Sequence, residues 1–513
     1  MRRDNLSLLA TLALLFVTPT LTSANNLIEN HEINSSVELE KVNHSLSPAQ
    51  LFINNTLKND PNLSNAVVGI CAIDENGNRV AEWNSNMPLL TASTMKTVTT
   101  GLALITLGPD YKFSTKVGYT GTITDGVLKG DIHIIGGGDP TLGSRDTVAF
   151  AIDSIFCEWA DAILSAGIKK IDGDIVVDDS YFERELMHGS WEWDDFGTYY
   201  GSAPSGLSFC ENVQYYTLKP GAMVGDKAEV IADYPTIPGI DIINNVTTGK
   251  PGSGDNTIYY VQDLELFSEY RGTLGIDRGV VDSDNSNRFP QLSCGYHFGE
   301  YLRGRGIYFS SKIVDIVDLK SKVGASKPLI ISETFSPELY KIVNVTNRIS
   351  NNMYAETLLK AIGKKVTGVG SYDSSLVAVR NLLEDLNLPL TGFKSVDGSG
   401  LSRQNYVSTQ FLCNYYKMIS ESTIFAQFFE SLPVAGGPGT LRSVLKNESS
   451  EVRGKIHAKS GSLSGVKCYA GYVQGGEKSG LVRFAIFLNN YSVSTSKVQP
   501  LVEKFLLELT KSK

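Results

Sequence analysis

A serine three residues before a lysine is the first pattern in the chain that could support covalent catalysis. Ser93 and Lys96 lie at the start of residues 94–107, where the apolar pattern predicts a helix. Because residues i and i+3 share a helix face, the hydroxyl and the amine can meet. A serine hydroxyl needs an adjacent base to become a strong nucleophile. Lysine is such a base only when burial or a second cation lowers its pKa, and the apolar neighbours of Lys96 favour burial.

The Ser-x-x-Lys spacing alone does not identify a nucleophile. It recurs in at least three other pairs, Ser443–Lys446, Ser464–Lys467 and Ser494–Lys497. A helix cap or a pair of surface side chains explains such a spacing equally well. Ser93 is preferred because two further motifs follow it in the chain.

The second motif, Ser350-x-Asn352, directly precedes an apolar run at residues 353–359 that predicts a helix. A plain helix cap is the alternative, since serine and asparagine are common there. A similar pair, Ser283 and Asn285, lies in a polar stretch in which we expect turns and no rigid element. Because catalytic groups must be held rigidly, we expect Ser350 and Asn352 to be the functional pair.

The third motif, Lys459-Ser460-Gly461, comes at the end of a strand predicted over residues 455–459. The small residues that follow, beginning with Ser462, suit a close approach of two backbones. Gly461 would let an extended substrate lie along the strand edge and pair as an added strand. An ordinary edge-strand lysine is the alternative if this motif is considered alone.

In chain order, the three motifs resemble those of the penicillin-recognising serine acyltransferases, which comprise penicillin-binding proteins and serine β-lactamases. The long segment between Ser93 and Ser350 is similar to the insertion of low-molecular-mass class C penicillin-binding proteins. These are D-alanyl-D-alanine carboxypeptidase/endopeptidases of the penicillin-binding protein 4 type. Further stretches agree with that family, namely GGGDPTL at 136–142, DGSGLSR at 397–403, LPVAG at 432–436 and GTL at 439–441. Ser460 stands where many members have threonine, and it keeps the hydroxyl.

The resemblance implies acyl transfer through a serine ester. Ser93 would attack the carbonyl of a terminal D-Ala-D-Ala bond, and Lys96 would take its proton. Ser350 would relay a proton to the leaving amine, Lys459 would supply positive charge, and Asn352 would bind the substrate backbone. Water would then hydrolyse the ester. A β-lactam would form the same ester and be released slowly.

The resemblance also implies where the terminal carboxylate and the oxyanion bind. Ser460 and Ser462, helped by Lys459, would bind the carboxylate, and Gly461 would face the extended peptide. Backbone N–H groups of Ser93 and Ser462 would form the oxyanion hole. The motifs therefore account for every step from acylation to hydrolysis.

A second substrate site is implied by the acidic and aromatic stretch at residues 191–196. Asp195, in preference to Asp194, would receive the free amine of a diamino acid in the stem peptide. An ordinary surface carboxylate is the alternative. The expected partners are peptidoglycan peptides ending in D-Ala-D-Ala and β-lactam antibiotics, and no cofactor is implied.

Two other functions remain compatible with the motifs. A serine β-lactamase would use the same chemistry with fast deacylation, but it would normally lack so large an insertion. A non-catalytic peptidoglycan-binding scaffold would keep the fold and lose turnover, and the three intact motifs argue against it.

The composition argues against several other classes of function. The 513 residues carry a formal net charge of −9 without a basic patch, so nucleic acid is not an expected partner. The six histidines show no metal-ligand spacing, and no metal site is expected. The six cysteines are widely scattered, which leaves disulfides and buried thiols as open alternatives.

The N-terminus is typical of a cleavable signal peptide over residues 1–24. Arg2 and Arg3 precede an apolar run at residues 6–17, and small residues lead up to Ala24. An uncleaved membrane anchor is the alternative, but the apolar run is shorter than a spanning helix needs. We expect a periplasmic or extracytoplasmic protein with at most peripheral membrane contact.

Strand and helix signals predict a multi-domain α+β protein. Residues 25–108 and 331–513 are expected to form the penicillin-binding, or serine acyltransferase, domain, in which helices flank an antiparallel sheet. Residues 109–330 are expected to form a mostly β insertion of two nested subdomains. Within the segment 213–330 we expect strands broken by turns rich in glycine and aspartate.

Overall fold

The structure is a computed structural model that describes residues 46–185, 187–261, 266–309, 312–320, 327–476 and 480–512. The predicted signal peptide, residues 1–24, lies outside the described residues. The chain from Pro48 onward forms one contact unit, and the predicted domain boundaries at 108 and 331 stay a prediction. Across the described residues, no helix combines the length and the apolar character that crossing a membrane requires.

The elements around the first motif come early in the chain. They are α1 (Pro48–Asn55), β1 (Val67–Ile73), β2 (Arg79–Trp83), β3 (Pro88–Leu90) and α2 (Met95–Leu107). The long segment that follows consists mainly of strands. Its first elements are β4 (Ser114–Tyr119), β5 (Thr122–Thr124), β6 (Val127–Lys129), β7 (Ile132–Gly136), α3 (Ile152–Ser165), β8 (Lys170–Asp172), β9 (Ile175–Asp178), β10 (Val213–Lys219), β11 (Glu229–Ala232) and β12 (Asp241–Gly249).

The remaining elements complete this segment and then return to helices. They are β13 (Ile258–Tyr260), β14 (Phe267–Gly275), β15 (Val281–Ser286), α4 (Pro290–Gly304), β16 (Tyr308–Phe309), β17 (Ile313–Asp315), α5 (Ile316–Lys320), β18 (Leu329–Phe335), α6 (Leu339–Ile349), α7 (Asn352–Thr367) and α8 (Tyr372–Asp385). The last elements are β19 (Phe393–Lys394), β20 (Tyr406–Ser408), α9 (Thr409–Ser420), α10 (Phe425–Ser431), α11 (Ser450–Gly454), β21 (Ile456–Leu463), β22 (Val466–Gln474), β23 (Leu481–Asn489) and α12 (Thr495–Leu509).

The two ends of the described chain meet in one five-stranded antiparallel sheet, in the order β2-β1-β23-β22-β21. Both faces of this sheet are covered by helices, because side chains along each strand alternate between two apolar cores. In β22, Cys468 and Tyr472 belong to the core that contains α2, α7 and α9. Tyr469 and Val473 of the same strand belong to the core that contains α1 and α12. The sheet is therefore a rigid platform, and β21 is its edge.

The third motif lies inside β21 and not at its end. The sequence predicts a strand over residues 455–459, whereas β21 runs from Ile456 to Leu463 and keeps its pairing with β22 through Gly461 and Ser462. Glycine weakens strand propensity, but the ladder of hydrogen bonds to β22 outweighs that local preference. The motif is thus held by sheet pairing along its full length.

The segment between the first two motifs forms sheets around two further apolar cores. One core is formed between a five-stranded sheet, β17-β9-β7-β4-β18, a four-stranded sheet, β16-β8-β6-β5, and helices α3 and α4. The other is formed by two three-stranded sheets, β11-β10-β15 and β12-β14-β13. The predicted mostly β character is confirmed, and the division into two nested subdomains stays a prediction.

Two helices, α4 and the short α5, interrupt the mostly strand-like stretch that the sequence predicts over residues 213–330. Residues Pro290–Gly304 form a helix, α4, in the middle of that stretch. Gly295 and Gly299 disfavour a helix intrinsically, yet an added Cβ would lie 2.6 Å from Val177 at Gly295 and 2.9 Å from Phe309 at Gly299. The two glycines therefore let α4 pack closely on the sheet, and this tertiary contact overrides the local preference.

The alternative pair, Ser283 and Asn285, is also held differently from the prediction. Both residues lie in strand β15, which pairs with β10, and not in a turn. The strand tolerates these polar side chains because both bind the buried Tyr270 hydroxyl. This hydroxyl donates to Ser283 Oγ at 3.1 Å and accepts a hydrogen bond from Asn285. The expectation that no element holds this pair was wrong.

The cysteines are unpaired. All six lie among the described residues, and none forms a disulfide. Five of them are buried, and only Cys157 is partly exposed. Of the two alternatives that the sequence leaves open, the structure has buried thiols.

Candidate active site

Ser93 lies in a tight turn of 3-10 helix, Ala92–Thr94, that leads directly into α2. Lys96 follows one turn later and is fully buried, with 0% of its surface exposed. Its Nζ lies 3.0 Å from Ser93 Oγ. The shared helix face predicted from the sequence thus brings the two groups into hydrogen-bond contact.

Three oxygen atoms surround the Lys96 amine. Besides Ser93 Oγ, Nζ contacts Asn352 Oδ1 at 2.5 Å and the Ser399 carbonyl oxygen at 2.8 Å. A neutral amine has two N–H donors and one lone pair. The two acceptors, Asn352 Oδ1 and the Ser399 carbonyl, can therefore take both donors and leave the lone pair for the Ser93 hydroxyl.

The protonation of Lys96 is poised near neutral pH. Burial lowers the pKa of Lys96 to about 7, against the opposing effect of the nearby Glu356 and Asp397 carboxylates. A lysine with such a pKa is largely neutral in mildly basic solution and can accept a proton. The geometry and the pKa thus both suit a general base for Ser93.

The second and third motifs meet beside the first. Ser350 joins α6 to α7 in a left-handed conformation, with φ 63°, and Asn351 caps α7 by accepting the N–H of Tyr354 at 3.0 Å. Lys459 Nζ donates to Ser350 Oγ at 2.8 Å. Burial, and secondarily the charges of Lys96 and Lys467, hold the pKa of Lys459 well below its usual range.

Asn352 connects the Lys96 amine to residues of the long inserted segment. Its Oδ1 accepts from Lys96, and its Nδ2 donates to the Tyr200 carbonyl at 2.8 Å. The amide has two N–H donors, so one remains for a substrate. The expected contact between Asn352 and the substrate backbone is therefore compatible with the structure.

Gly461 allows β21 to approach the nucleophile. A Cβ at this position would lie 2.9 Å from the backbone nitrogen of Ser93 and 2.9 Å from the Thr91 carbonyl oxygen. No side chain fits there without a shift of backbone. Its neighbour Ser462 lies nearer the turn and accepts a hydrogen bond from Lys467 Nζ at 2.9 Å.

A cleft of about 760 Å³ opens in front of these residues. The motif residues Ser93, Ser350, Asn352 and Ser460 line it, together with the neighbouring Ser462. A volume of this size is within the range of small-molecule and peptide sites. The cleft therefore brings the three motifs to one solvent-accessible surface.

Part of the cleft wall is acidic. Asp195 lies in this wall, together with Glu192 and Asp194. Asp195 Oδ2 accepts the backbone N–H of Glu192 at 3.2 Å, and burial raises the pKa of Asp195. Glu192 in turn pairs with Arg403 across the cleft at 3.0 Å. The structure thus places Asp195 in the same cleft as Ser93, with part of its carboxylate used to cap a short helix.

A family model described as the D-Ala-D-Ala carboxypeptidase 3 (S13) family matches residues 50–508. The chain belongs to this family. Its predicted activity, a serine-type D-Ala-D-Ala carboxypeptidase and hydrolase, is thereby confirmed, and the β-lactamase alternative is wrong. The match spans nearly all of the described chain, including the three motifs and the segment between them.

Individual relatives agree with the family. The chain is 29% identical over 454 residues to the D-alanyl-D-alanine carboxypeptidase of Actinomadura sp. (strain R39), a match that covers 84% of this chain and 79% of the relative. It is 27% identical over 458 residues to D-alanyl-D-alanine carboxypeptidase DacB of Haemophilus influenzae, covering 85% and 89%.

The fold agrees with that of a solved structure. The crystal structure of penicillin binding protein 4 from Haemophilus influenzae matches with a TM-score of 0.76 at 24% identity, over 87% of this chain and 97% of that chain. This likeness supports the fold alone. The predicted α+β architecture, a penicillin-recognising fold with a large mostly β insertion, is confirmed.

Sequence reasoning missed two residues of the site. One contacts a motif residue directly, and the other holds the first in place. The Ser399 carbonyl binds Lys96, and the Glu356 carboxylate binds the backbone of Ser399. Ser399 lies in the stretch 397–403, whose likeness to the family was visible in the sequence without any role being apparent. Glu356 follows Asn352 by four residues, which puts both on one face of α7. That spacing was the one signal from which Glu356 could have been found.

Proposed function

We propose that Ser93 removes the terminal D-alanine from D-Ala-D-Ala peptides through an acyl-serine intermediate, with Lys96 as its base. The observation that carries this proposal is the buried Lys96 amine, 3.0 Å from Ser93 Oγ, with a pKa lowered to about 7. In the first step Ser93 Oγ bonds to the carbonyl carbon while Lys96 takes the hydroxyl proton.

The peptide bond then breaks with transfer of a proton to the departing amine. Ser350 Oγ is the proposed donor, because Lys459 Nζ donates to it at 2.8 Å and can return the proton that it gives up. Asn352 holds the substrate backbone with its remaining N–H. Water finally attacks the carbonyl carbon of the Ser93 ester, its proton passes through Ser350 to the Lys459 amine, and Lys96 returns its proton to Ser93 Oγ as the ester bond breaks and the shortened peptide leaves.

The oxyanion and the terminal carboxylate bind along β21. Backbone N–H groups of Ser93 and Ser462 point to the oxyanion, and each such donor is worth about 3 kcal/mol of transition-state stabilisation. Ser460 and Ser462 bind the carboxylate, and the amines of Lys459 and Lys467 lie beside them, donating to the Ser460 carbonyl and to Ser462 Oγ. An extended peptide lies along the β21 edge, where Gly461 removes steric hindrance.

The acidic wall selects the stem peptide. We infer that Asp195 receives the free amine of a diamino acid, since its carboxylate lines the cleft that contains Ser93. The volume of the cleft also suits a cross-linked peptide. We therefore propose endopeptidase cleavage of peptidoglycan cross-links as well. Such a substrate requires export, which the signal peptide predicted at residues 1–24 would provide, to the periplasm or another extracytoplasmic space.

Product analysis tests this function. The purified chain is incubated with a pentapeptide ending in D-Ala-D-Ala and with a cross-linked peptide dimer, beside a Ser93→Ala control and a sample treated first with penicillin. Release of D-alanine by the native chain alone is expected, together with cleavage of the dimer. A folded native chain that releases no D-alanine would contradict the proposal and favour a non-catalytic scaffold. Uncut dimer beside released D-alanine would restrict the chain to carboxypeptidase activity.

A further inference from the structure

A buried glutamate lies behind the Lys96 amine. Glu356 is on α7, four residues after Asn352, and 0% of its surface is exposed. Its two carboxylate oxygens accept the backbone N–H groups of Gly398 at 2.8 Å and Ser399 at 2.7 Å. Two backbone donors on one carboxylate fix the orientation of that peptide segment.

The peptide segment held by Glu356 contacts the base directly. The Ser399 carbonyl, on the residue whose N–H binds Glu356, accepts from Lys96 Nζ at 2.8 Å. On its other side the same loop is held by Thr99 of α2, whose Oγ1 donates to the Gly398 carbonyl at 2.7 Å. Glu356 therefore acts on Lys96 both through this loop and through its own charge.

A second acid, Asp397, holds the following part of the loop. Asp397 accepts the backbone N–H groups of Gly400 and Ser402, each at 2.7 Å. Glu356 is also a buried acid beside this loop. Burial in itself disfavours an ionised carboxylate, so its presence lowers the stability of the fold. Besides holding the loop, Glu356 lies close enough to the Lys96 amine to affect its pKa.

We propose that Glu356 is a positioning residue for the general base: it orients the Ser399 carbonyl towards Lys96 Nζ, and its charge sets the pH at which Lys96 releases its proton. This inference rests on the proposed role of Lys96 as the base of Ser93. Glu356 itself does not touch the substrate. It acts through Lys96 alone.

Other charged groups surround the pair and must be considered. Asp397 in the loop, Lys360 on the same helix and Tyr372 on α8 all interact with Glu356. Lys459 on β21 interacts with Lys96. Asp397 raises the pKa of Lys96 in the same direction as Glu356, so removal of Glu356 leaves part of this effect in place.

The sign of the effect follows from electrostatics. A negative charge favours the protonated amine, so Glu356 raises the pKa of Lys96 while burial lowers it. Burial and the Asp397 charge raise the pKa of Glu356 to about 8, so the two groups exchange protons over the same pH range. Because the Glu356 charge develops over the pH range in which Lys96 loses its proton, a neutral side chain at position 356 moves the upper part of the rise of acylation to lower pH.

The test measures the rate constant of acylation by penicillin against pH. For Glu356→Gln the midpoint of the rise is expected at a lower pH than in the native chain, because the charge that develops at Glu356 no longer holds the proton on Lys96. Thr99→Val is the matched control, since it removes a neutral contact with the same loop. Its midpoint is expected to stay at the native value, whatever its maximal rate.

A folded Glu356→Gln protein with the native midpoint would overturn the inference. Should this variant fail to fold, Glu356→Asp keeps the charge and withdraws the carboxylate from the loop. A lower maximal rate with an unchanged midpoint then supports the positioning role, and native values of both contradict it. A native chain that forms no acyl-enzyme at any pH would instead refute the proposed function, which distinguishes the two failures.

Discussion

The wall of the cleft that carries the three motifs differs from the acidic wall in the burial of its charged side chains. Lys96 and Lys459 are both fully buried, and each amine is directed at fixed oxygen atoms. In the acidic wall, Glu192 and Asp194 are exposed to solvent. Burial lowers the proton affinity of the lysines, which suits proton transfer. The carboxylates of the acidic wall are accessible from the cleft, which suits recognition of a cation.

This contrast separates chemistry from recognition within one cleft. Changes on the motif wall should abolish acylation by any acyl donor, including penicillin. Changes on the acidic wall should alter the choice of peptide and leave penicillin acylation intact.

Removal of the base should have the largest effect. Lys96→Met is expected to lower the acylation rate constant by about 10³-fold or more, since general-base catalysis contributes on this order. Lys360→Met is the matched control, because Lys360 is also fully buried but binds Glu185 at 2.9 Å. The control should acylate at a rate close to native. Similar rates for the native chain and a folded Lys96→Met protein would show that Lys96 is not the base.

Closing the gap between β21 and Ser93 should have the next largest effect. Gly461→Ala puts a Cβ 2.9 Å from Ser93 N and is expected to lower acylation about 10²-fold through misplacement of the strand. Gly304→Ala, at the end of α4 with no atom within 4 Å of its added Cβ, should have no effect. Stopped-flow acylation with a chromogenic β-lactam measures both, and a fully active Gly461→Ala protein would contradict the close approach.

The pH dependence of acylation should reveal the buried base. Because only neutral Lys96 accepts a proton and its pKa is lowered to about 7, the rate should rise with pH through that value. Between pH 6 and pH 8 the neutral fraction increases about tenfold. A rate that does not change over this interval would mean that the Lys96 proton does not limit acylation.

The acidic wall should give the smallest and most selective effect. Asp195→Asn is expected to raise KM about tenfold for a peptide with a free side-chain amine, which corresponds to the loss of one charge-assisted contact. Its acylation by penicillin should be unchanged. Asp194→Asn, in the exposed neighbour, is the control and should leave both values unchanged. The reverse result would assign the amine site to Asp194.

Local sequence patterns predicted the parts of the site that depend on short-range geometry. Ser93 and Lys96 meet because three residues separate them on a helical turn, and Ser350 and Asn352 flank the start of a helix as their types suggest. Gly461 was recognised as a place of close approach. The structure shows that the backbone of Ser93 itself approaches Gly461.

The remaining features depend on contacts between distant parts of the chain. Nothing in the local pattern around Ser399 indicates that its carbonyl faces Lys96, because that contact needs the whole α2–α7 packing. The helix Pro290–Gly304 was missed for the same reason, since its glycines make sense only against β9 and β16. Ser283 lies in a strand because of pairing with β10, which its polar surroundings do not reveal.

The intact mass of the protein after reaction with penicillin shows whether Ser93 forms a covalent ester in this cleft. The native chain and Ser93→Ala are each incubated with penicillin, and the intact masses are compared. The account predicts an added mass of one penicillin on the native chain, located on the peptide that contains Ser93, and none on the variant. An adduct of equal amount on Ser93→Ala, or an unmodified native chain with the penicillin left intact, would contradict it.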